Sequence, residues 1–377
     1  FRALASRTTK KKPIIALKAG RSAAGASAAS SHTGSLAGAD KAADALLKQS
    51  GVIREFSLQD LFNTAKVFSH CPIPNGNRVA IVTNSGGPGI MATDAVCEHG
   101  MEIAHLSDQT KEALRSFLPA AASVKNPVDM IASAPLEHYK KTLETVLADD
   151  GVDMVVVIYL PFLGLKDIDV AKAVMEIRAA HPDKPIVGVF MTKNEFFAHL
   201  SETEVNVPFF MFAEQAVEGL ARLNQQRLWR ERTDTPAPRY SVDTETVEAV
   251  FKQAAADNRV QLTTGESLQV LAAYGVRVCR DGEAKDADEA VALANKIGYP
   301  VVMKLNSKEI SHKTDVGGVR VGIKDADQLR AEFADLVNKL TEKGLMDGFE
   351  GVIIQEMVKS DREMVCGCAK DPQYGQM

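Results

Sequence analysis

Apolar and polar positions along the chain follow two rhythms, and their order divides it into three blocks. In the first, residues 13–17 (PIIAL) form a short apolar run of strand character, and a loop of small residues follows over 18–34. Residues 35–50 carry apolar positions at helical spacing, and Gly51 stands where a helix C-terminal cap belongs. Residues 52–56 read as a second strand, with Ser57 as the N-cap of another helix. Two strands and two helices cannot cover both faces of a parallel sheet. The block 1–75 is therefore predicted to be the back part of a larger α/β domain.

In the second block, 76–232, apolar strands at 79–83, 101–105, 154–160, 185–191 and 207–212 alternate with helical stretches. That order predicts βαβ units and a mostly parallel sheet with helices on both faces. Ligands of such sheets sit beyond the C-terminal strand ends. A Pro-rich linker (TDTPAPR) falls within 233–240. The third block, 241–377, opens with helices over 242–255 and 265–274. Strands follow at 276–279, 301–305, 319–323 and 352–358, with helices at 287–297 and 326–343 between them, and 362–368 reads as a last strand. This is an α+β pattern.

Composition narrows the function classes. The 377 residues are 45% apolar and 25% charged, the balance of a globular protein of two or three domains. A net charge of -5 gives no basic field for nucleic acid or an anionic membrane. The five cysteines lack metal-ligand spacing and fit a reducing, cytoplasmic setting. No apolar run approaches the ~20 residues of a membrane span. Residues 1–12 are basic without an apolar core, so they are not a signal peptide, and Met is not the first residue. Both ends read as ends of a piece of a longer polypeptide.

Three segments could carry chemistry. Residues 20–40 (GRSAAGASAASSHTGSLAGAD) place one imidazole, His32, among small residues, and Gly34 and Ser35 open the helix after it. A neutral imidazole nitrogen can attack phosphorus, and helix-end N–H groups hold an anion. On composition alone a polar loop with an exposed histidine is the simpler account. The second segment, 84–94 (NSGGPGIMATD), is a Gly-rich strand-to-helix turn with Gly86, Gly87 and Gly89. It lacks the Walker A spacing and lysine. Asn126 and Asp129 follow in NPVDM, as turn residues or near a phosphate, before a helix starting close to Pro135. In the third block, Lys304 ends one buried strand, and Gln355 and Glu356 lie on another.

The order of these segments carries more than any one of them. KPII, KAGR and SHTGSLAG, at 12–15, 18–21 and 31–38, closely resemble the phosphohistidine segment of ADP-forming acyl-CoA synthetases, relatives of succinyl-CoA synthetase. The likeness extends over the chain in that family's domain order. It implies flavodoxin-like parallel-sheet domains followed by part of an ATP-grasp domain. It implies His32 as phosphate carrier, with Gly34, Ser35, Gly86, Gly87, Gly89 and Asn126 near the phosphate. Lys304, Gln355 and Glu356 would meet the nucleotide. His312, in ISHKTDVGG, would be a second phosphate station supported by Asp315, and Asp129 would support the first. The implied reaction interconverts acyl-CoA, ADP and phosphate with a carboxylic acid, CoA and ATP, with Mg2+ accompanying the nucleotide. No metal ligand and no CoA-binding domain is identifiable in the sequence. The partners expected are these small molecules, in a homo-oligomer or an assembly with further chain portions, without nucleic acid or membrane. A ligand-sensing region of an acetyltransferase-fused protein, or a silent binding module, is the alternative; the intact His32 flanks favour an active synthetase.

Overall fold

The computed structural model describes residues 1–25, 27, 40–162, 164–201, 204–233, 235–236, 238–307, 316–368, 370–371 and 375–376. The chain divides into two compact units, 1–234 with 367–377, and 235–366. Among the described residues no helix is long and apolar enough to cross a membrane.

The first unit begins with a helix the apolar pattern does not predict, α1 (Arg2–Thr9). Tertiary hydrogen bonds hold it. Thr9 Oγ1 donates to the Ser50 carbonyl at 2.7 Å and accepts from Trp229 Nε1 at 2.9 Å, and Gln226 Nε2 donates to the Thr9 carbonyl at 2.6 Å. Next come β1 (Ile15–Leu17), α2 (Asp40–Gln49), β2 (Ile53–Glu55) and α3 (Leu58–His70), with β1 and β2 paired in parallel. Gly51, between α2 and β2, has φ +67°, and a Cβ there would lie 2.0 Å from the Trp229 ring. Glycine is thus required twice over, by backbone and by space.

A parallel sheet makes up the rest of this unit. Its strands are β3 (Arg78–Thr83), β4 (Glu102–Ile103), β5 (Val128–Asp129), β6 (Met154–Tyr159), β7 (Ile186–Phe190) and β8 (Phe209–Phe210). The order is β4-β3-β6-β7-β8, and β5 pairs with the C-terminal end of β3. Every residue of β6 and β7 is buried, which is why both read as continuous apolar runs. The helices are α4 (Gly86–Glu98), α5 (Asp108–Arg115), α6 (Leu136–Leu147), α7 (Asp167–Ala180), α8 (Asn194–Ser201) and α9 (Ala213–Glu231). Tyr139, Leu143, Val170 and Val174 cover one sheet face. Ala92, Val96, Ala216 and Leu220 cover the other, together with Val67 of α3. The two parts of the unit are pinned by Glu55, 1% exposed, which accepts from Thr64 Oγ1 and from Arg222 Nε and Nη2 at 2.8, 2.8 and 3.0 Å. A carboxylate that buried is tolerable only with such partners.

The second unit holds α10 (Thr244–Ala256), α11 (Thr264–Ala273), β9 (Asp281–Ala284), α12 (Ala287–Ile297), β10 (Val301–Asn306), β11 (Val319–Ile323), α13 (Ala326–Glu342) and β12 (Gly351–Glu356). Its sheet is antiparallel, in the order β11-β10-β12-β9. Val301, Met303 and Leu305 of β10 and Val352 and Ile354 of β12 face α12 and α13 in one core. Two sequence expectations fail here. Residues 276–279 are not a strand; the polar run 281–284 is, because β12 offers its edge and Gly282 fits beneath the Leu293 side chain at the 3.0 Å a Cβ would reach. Residues 362–368 are irregular, and the short pairing of β13 (Lys370–Asp371) with β14 (Gly375–Gln376) that follows belongs to the first unit.

Candidate active site

The parallel sheet has its switch point between β3 and β6. From β3 the chain crosses over α4 to β4 on one side; from β5 it crosses over α6 to β6 on the other. The crevice at the C-terminal ends of β3 and β6 is where such folds bind ligands. Asn84, just past β3, bridges that crevice. Its Nδ2 donates to the Leu160 carbonyl at 2.8 Å, and the Leu160 N–H donates to its Oδ1 at 2.9 Å.

The Gly-rich turn opens α4 at this point. Ser85 is the N-cap but makes no side-chain cap bond; its N–H instead donates to Thr83 Oγ1 at 2.9 Å. No acidic side chain stands in the first turn, and Pro88 lacks an N–H. The N–H groups of Gly86 and Gly87 therefore sit at a positive helix end without a side-chain acceptor. The three glycines differ. A Cβ on Gly89 would meet Thr83 Cγ2 at 3.2 Å, so its smallness serves packing. A Cβ on Gly86 would come 3.2 Å from Asp129 Oδ2, whereas Gly87 faces open space.

Helix α6 also starts without a side-chain cap, behind Pro135. Helices α3 and α5 are capped by Ser57 and Ser107, whereas α7 and α9 also lack a side-chain cap; α4 and α6 are the uncapped helices that flank the switch point. A cavity of about 290 Å3 opens at the α6 end, lined by Ser133, Pro135, Leu136 and Phe162 among others. Two helix N-termini left open on the ligand edge of one sheet form a ready anion site.

Asp129 and Asn126 support this edge from beneath. Asp129 Oδ1 accepts from the Ile131 N–H at 3.0 Å and holds Ile131 at φ 65°. Asn126 corrects the sequence expectation. Strands β4 and β5 flank β3 at its two ends and leave a gap beside Ile81, and the Asn126 carboxamide fills it. Its Oδ1 accepts from the Ile81 N–H at 2.9 Å; its Nδ2 donates to the carbonyls of Val79 and Ala104 at 2.8 and 3.0 Å. Both donor hydrogens are spent on backbone, so this side chain has none left for a phosphate.

His32, Gly34 and Ser35 lie outside the described residues, as do His312 and Asp315. The residues flanking 28–39 converge. Asp40 accepts from Arg54 Nη2 at 2.5 Å, and Arg54 Nη1 reaches Asp44 at 3.2 Å. The guanidinium groups of Arg54 and Arg21 both stack on Phe56, 5.1 and 4.9 Å from its centroid.

In the second unit, strand alternation sorts the expected residues. Lys304 pairs with Ile353 and Val302 with Gln355, which puts Lys304 and Gln355 diagonally on the sheet face away from α12 and α13. Lys304 is half-buried and makes no ion pair among the described residues. Glu356 belongs to the opposite alternation, and its carboxylate is taken. Arg280 Nε and Nη2 donate to it at 3.0 and 3.2 Å, and this hydrogen-bonded guanidinium holds the carboxyl below the usual range. In this structure the Glu356 carboxylate, expected at the nucleotide, is ion-paired with Arg280. The described residues hold no cluster of three His, Cys, Asp or Glu that fits a metal ion.

Comparison with known proteins agrees with this architecture. Residues 1–68 match the succinyl-CoA ligase-like flavodoxin domain, 79–217 the ligase-CoA domain, and 253–377 the ATP-grasp domain. A set of domains in this order defines the succinyl-CoA ligase-like class with an ATP-grasp partner domain. The 4-hydroxybutyrate–CoA ligase [ADP-forming] of Nitrosopumilus maritimus is 34% identical over 370 residues, 97% of this chain and 52% of the relative. The acetate–CoA ligase [ADP-forming] I of Archaeoglobus fulgidus is 33% identical over 388 residues, covering 100% and 54%. The solved acetyl-coenzyme A synthetase 1 of Ca. Korarchaeum cryptofilum, in complex with phosphate and ADP, superposes with TM-score 0.57 at 32% identity, over 61% of this chain and 50% of that one. The chain belongs to the family of ADP-forming acyl-CoA synthetases, and it spans about half the length of the curated relatives it matches.

Proposed function

We propose that this chain is the phosphoryl-relay portion of an ADP-forming acyl-CoA synthetase. Phosphate displaces CoA from an acyl-CoA, giving an acyl phosphate and the free thiol. The His32 imidazole takes the phosphoryl group and releases the carboxylic acid. Phospho-His32 then passes the group by way of the His312 imidazole to ADP; the His32 P–N bond breaks as the His312 P–N bond forms, and that bond breaks as the new P–O bond of ATP forms. Splitting the transfer lets no single step span the distance between the two reaction centres. The chain's own contribution is positioning and charge neutralisation.

The observation that carries this reading is the pair of uncapped helix N-termini, at Gly86–Gly87 and behind Pro135, on the switch-point edge of the parallel sheet. That edge suits a phosphoryl group arriving on an imidazole. Lys304, half-buried, and Gln355, buried, share the sheet face away from α12 and α13 and suit the phosphates and the polar edge of a nucleotide. Mg2+ would accompany the nucleotide and neutralise its charge; the described residues supply no ligand set for it, and no step is assigned to it. CoA would enter as a substrate. The Korarchaeum synthetase, solved with phosphate and ADP, supports the same ligands here. The Pyrococcus furiosus acetate–CoA ligase [ADP-forming] II subunit alpha, 45% identical over 194 residues, supports action within a multi-chain or longer assembly. The synthetase names of these relatives give no support to a ligand-sensing role.

His312 is the second station in this scheme. In the full-length protein, His312→Ala slows phosphoryl exchange with ATP and leaves transfer from acyl phosphate to His32 unchanged. Equal slowing of both half-reactions removes His312 from the relay. Absence of both half-reactions from the parent protein removes the synthetase reading.

A further inference from the structure

A second cavity, of about 430 Å3, lies between α3, α8 and the start of α9, at the exits of β7 and β8. It is two to three strand positions from the Gly-rich turn, roughly 10–15 Å along the sheet edge. The reaction above makes no use of it, and its lining is chemically unusual.

Lys66 reaches into it from α3. Its Nζ donates to the Phe209 carbonyl at 3.0 Å and stands 4.5 Å from the centroid of the Phe210 ring. Among the described residues no carboxylate pairs with it. Burial alone pulls its pKa below the ordinary lysine value, with no charge opposing the shift. Asn63 stands beside it, only 7% exposed. The Asn63 Oδ1 accepts from Gln59 Nε2 at 3.1 Å, while its Nδ2 has no acceptor among the described residues. Asn194 and Gln215, on the first turns of α8 and α9, face the same space. Helix α9 has no side-chain cap at Phe212. The walls are aromatic: Phe197, Phe210 and Phe212, the last 47% exposed.

A half-buried cation with spare hydrogens, a buried amide donor and an open helix end all call for an anion. The phenylalanine walls call for an apolar body attached to it. We propose that this cavity binds a small organic carboxylate with an alkyl or aryl tail. The carboxylate takes the remaining Lys66 hydrogens and Asn63 Nδ2–H, and the tail lies against Phe197 and Phe212. The volume falls in the range of small-molecule pockets. A neutral tail alone leaves Lys66 unpaired, and inorganic phosphate alone leaves the aromatic walls bare.

The test is calorimetric titration of the full-length protein with 3-phenylpropionate, its isosteric amide 3-phenylpropanamide, and inorganic phosphate. The acid binds, and the amide binds at least about tenfold more weakly, the loss of one charge-assisted contact. Lys66→Met lowers acid affinity by a similar factor. Because Lys66 also ties α3 to β8, Gln215→Glu serves as a second variant; it sets a like charge at the mouth and spares the Lys66–Phe209 bond. It also weakens the acid about tenfold, with the thermal midpoint unchanged, while Gly87→Ala leaves acid binding as it was. Acid binding equal in the parent and both pocket variants overturns the proposal. So does amide binding as tight as acid binding. Phosphate that binds through Lys66 more tightly than the acid overturns the tail.

Discussion

Asn126→Ala separates a structural role from a phosphate contact, and its magnitude can be worked from three hydrogen bonds. Truncation removes the acceptor of the Ile81 N–H and one donor to the Ala104 carbonyl, while the Val79 carbonyl keeps the bond from the Ala104 N–H at 2.9 Å. Ile81 is 0% exposed and Ala104 1%, so two backbone groups lose their partner inside the sheet. An unsatisfied buried group costs about 1–3 kcal/mol, which puts the loss at about 2–6 kcal/mol, toward the lower end where water enters the space left by the carboxamide. Asn126→Asp is worse than a simple deletion. A carboxylate keeps the acceptor for Ile81 but faces two carbonyl oxygens where Nδ2 donated. The assay is urea unfolding followed by the fluorescence of Trp229, which packs in the same unit. It is paired with the rate of acyl phosphate:ADP transfer at a urea-free temperature where both proteins are folded. The account expects a lower midpoint at unchanged slope. A midpoint within about 0.5 kcal/mol of the parent, together with lost transfer, would falsify the structural reading and return Asn126 to the phosphate.

Three further outcomes follow from the same geometry. Gly87→Ala adds a methyl group in open space on a helix first turn, so stability stays within about 1 kcal/mol of the parent or rises; phosphoryl transfer falls at least about tenfold because the methyl covers the exposed N–H pair, and a fully active variant denies that pair its role. Gly51→Ala forces a Cβ into the Trp229 ring at a left-handed backbone position, which costs about 3 kcal/mol or more by thermal or urea unfolding, and Trp229→Ala in the same chain relieves the steric part; a variant as stable as the parent shows the contact to be soft. Lys304→Met weakens ADP binding by about tenfold, measured by calorimetry, as expected for one lost charge-assisted contact, whereas Glu356→Gln, which only loosens the Arg280 pair, changes it less than about threefold; the reverse order would return Glu356 to the nucleotide.

The parts of this fold legible in the sequence are those whose signal is local. Strands β3, β6 and β7 are buried on both faces and read as unbroken apolar runs; the Gly-rich turn announces a strand-to-helix junction; Gly51 announces a helix end. What the sequence hides depends on distant partners. Helix α1 exists because Thr9 meets Ser50, Gln226 and Trp229, none of which its own periodicity reveals. Strand β9 is polar and forms only because the β12 edge is there to pair with it. Asn126 reads as a turn residue or a ligand, since a carboxamide filling a gap between β4 and β5 leaves no mark in composition or spacing. Glu356 looks available until Arg280 is brought beside it. Asn84, which joins the ends of β3 and β6, is equally silent: only the sheet order makes residues 84 and 160 neighbours. The Lys66 cavity escapes for the same reason, since its residues come from three helices and the end of β8.

The central claim is that a phosphoryl group rides on His32 between an acyl phosphate and ADP. The most direct measurement is labelling of the full-length protein with an acyl phosphate carrying a labelled phosphoryl group, which reaches His32 before His312, followed by acid and base treatment and by transfer of the label to ADP. The account predicts one acid-labile, base-stable label that chases into ATP on addition of ADP and is absent from His32→Ala. An acid-labile label of undiminished yield in His32→Ala, still chased by ADP, contradicts it.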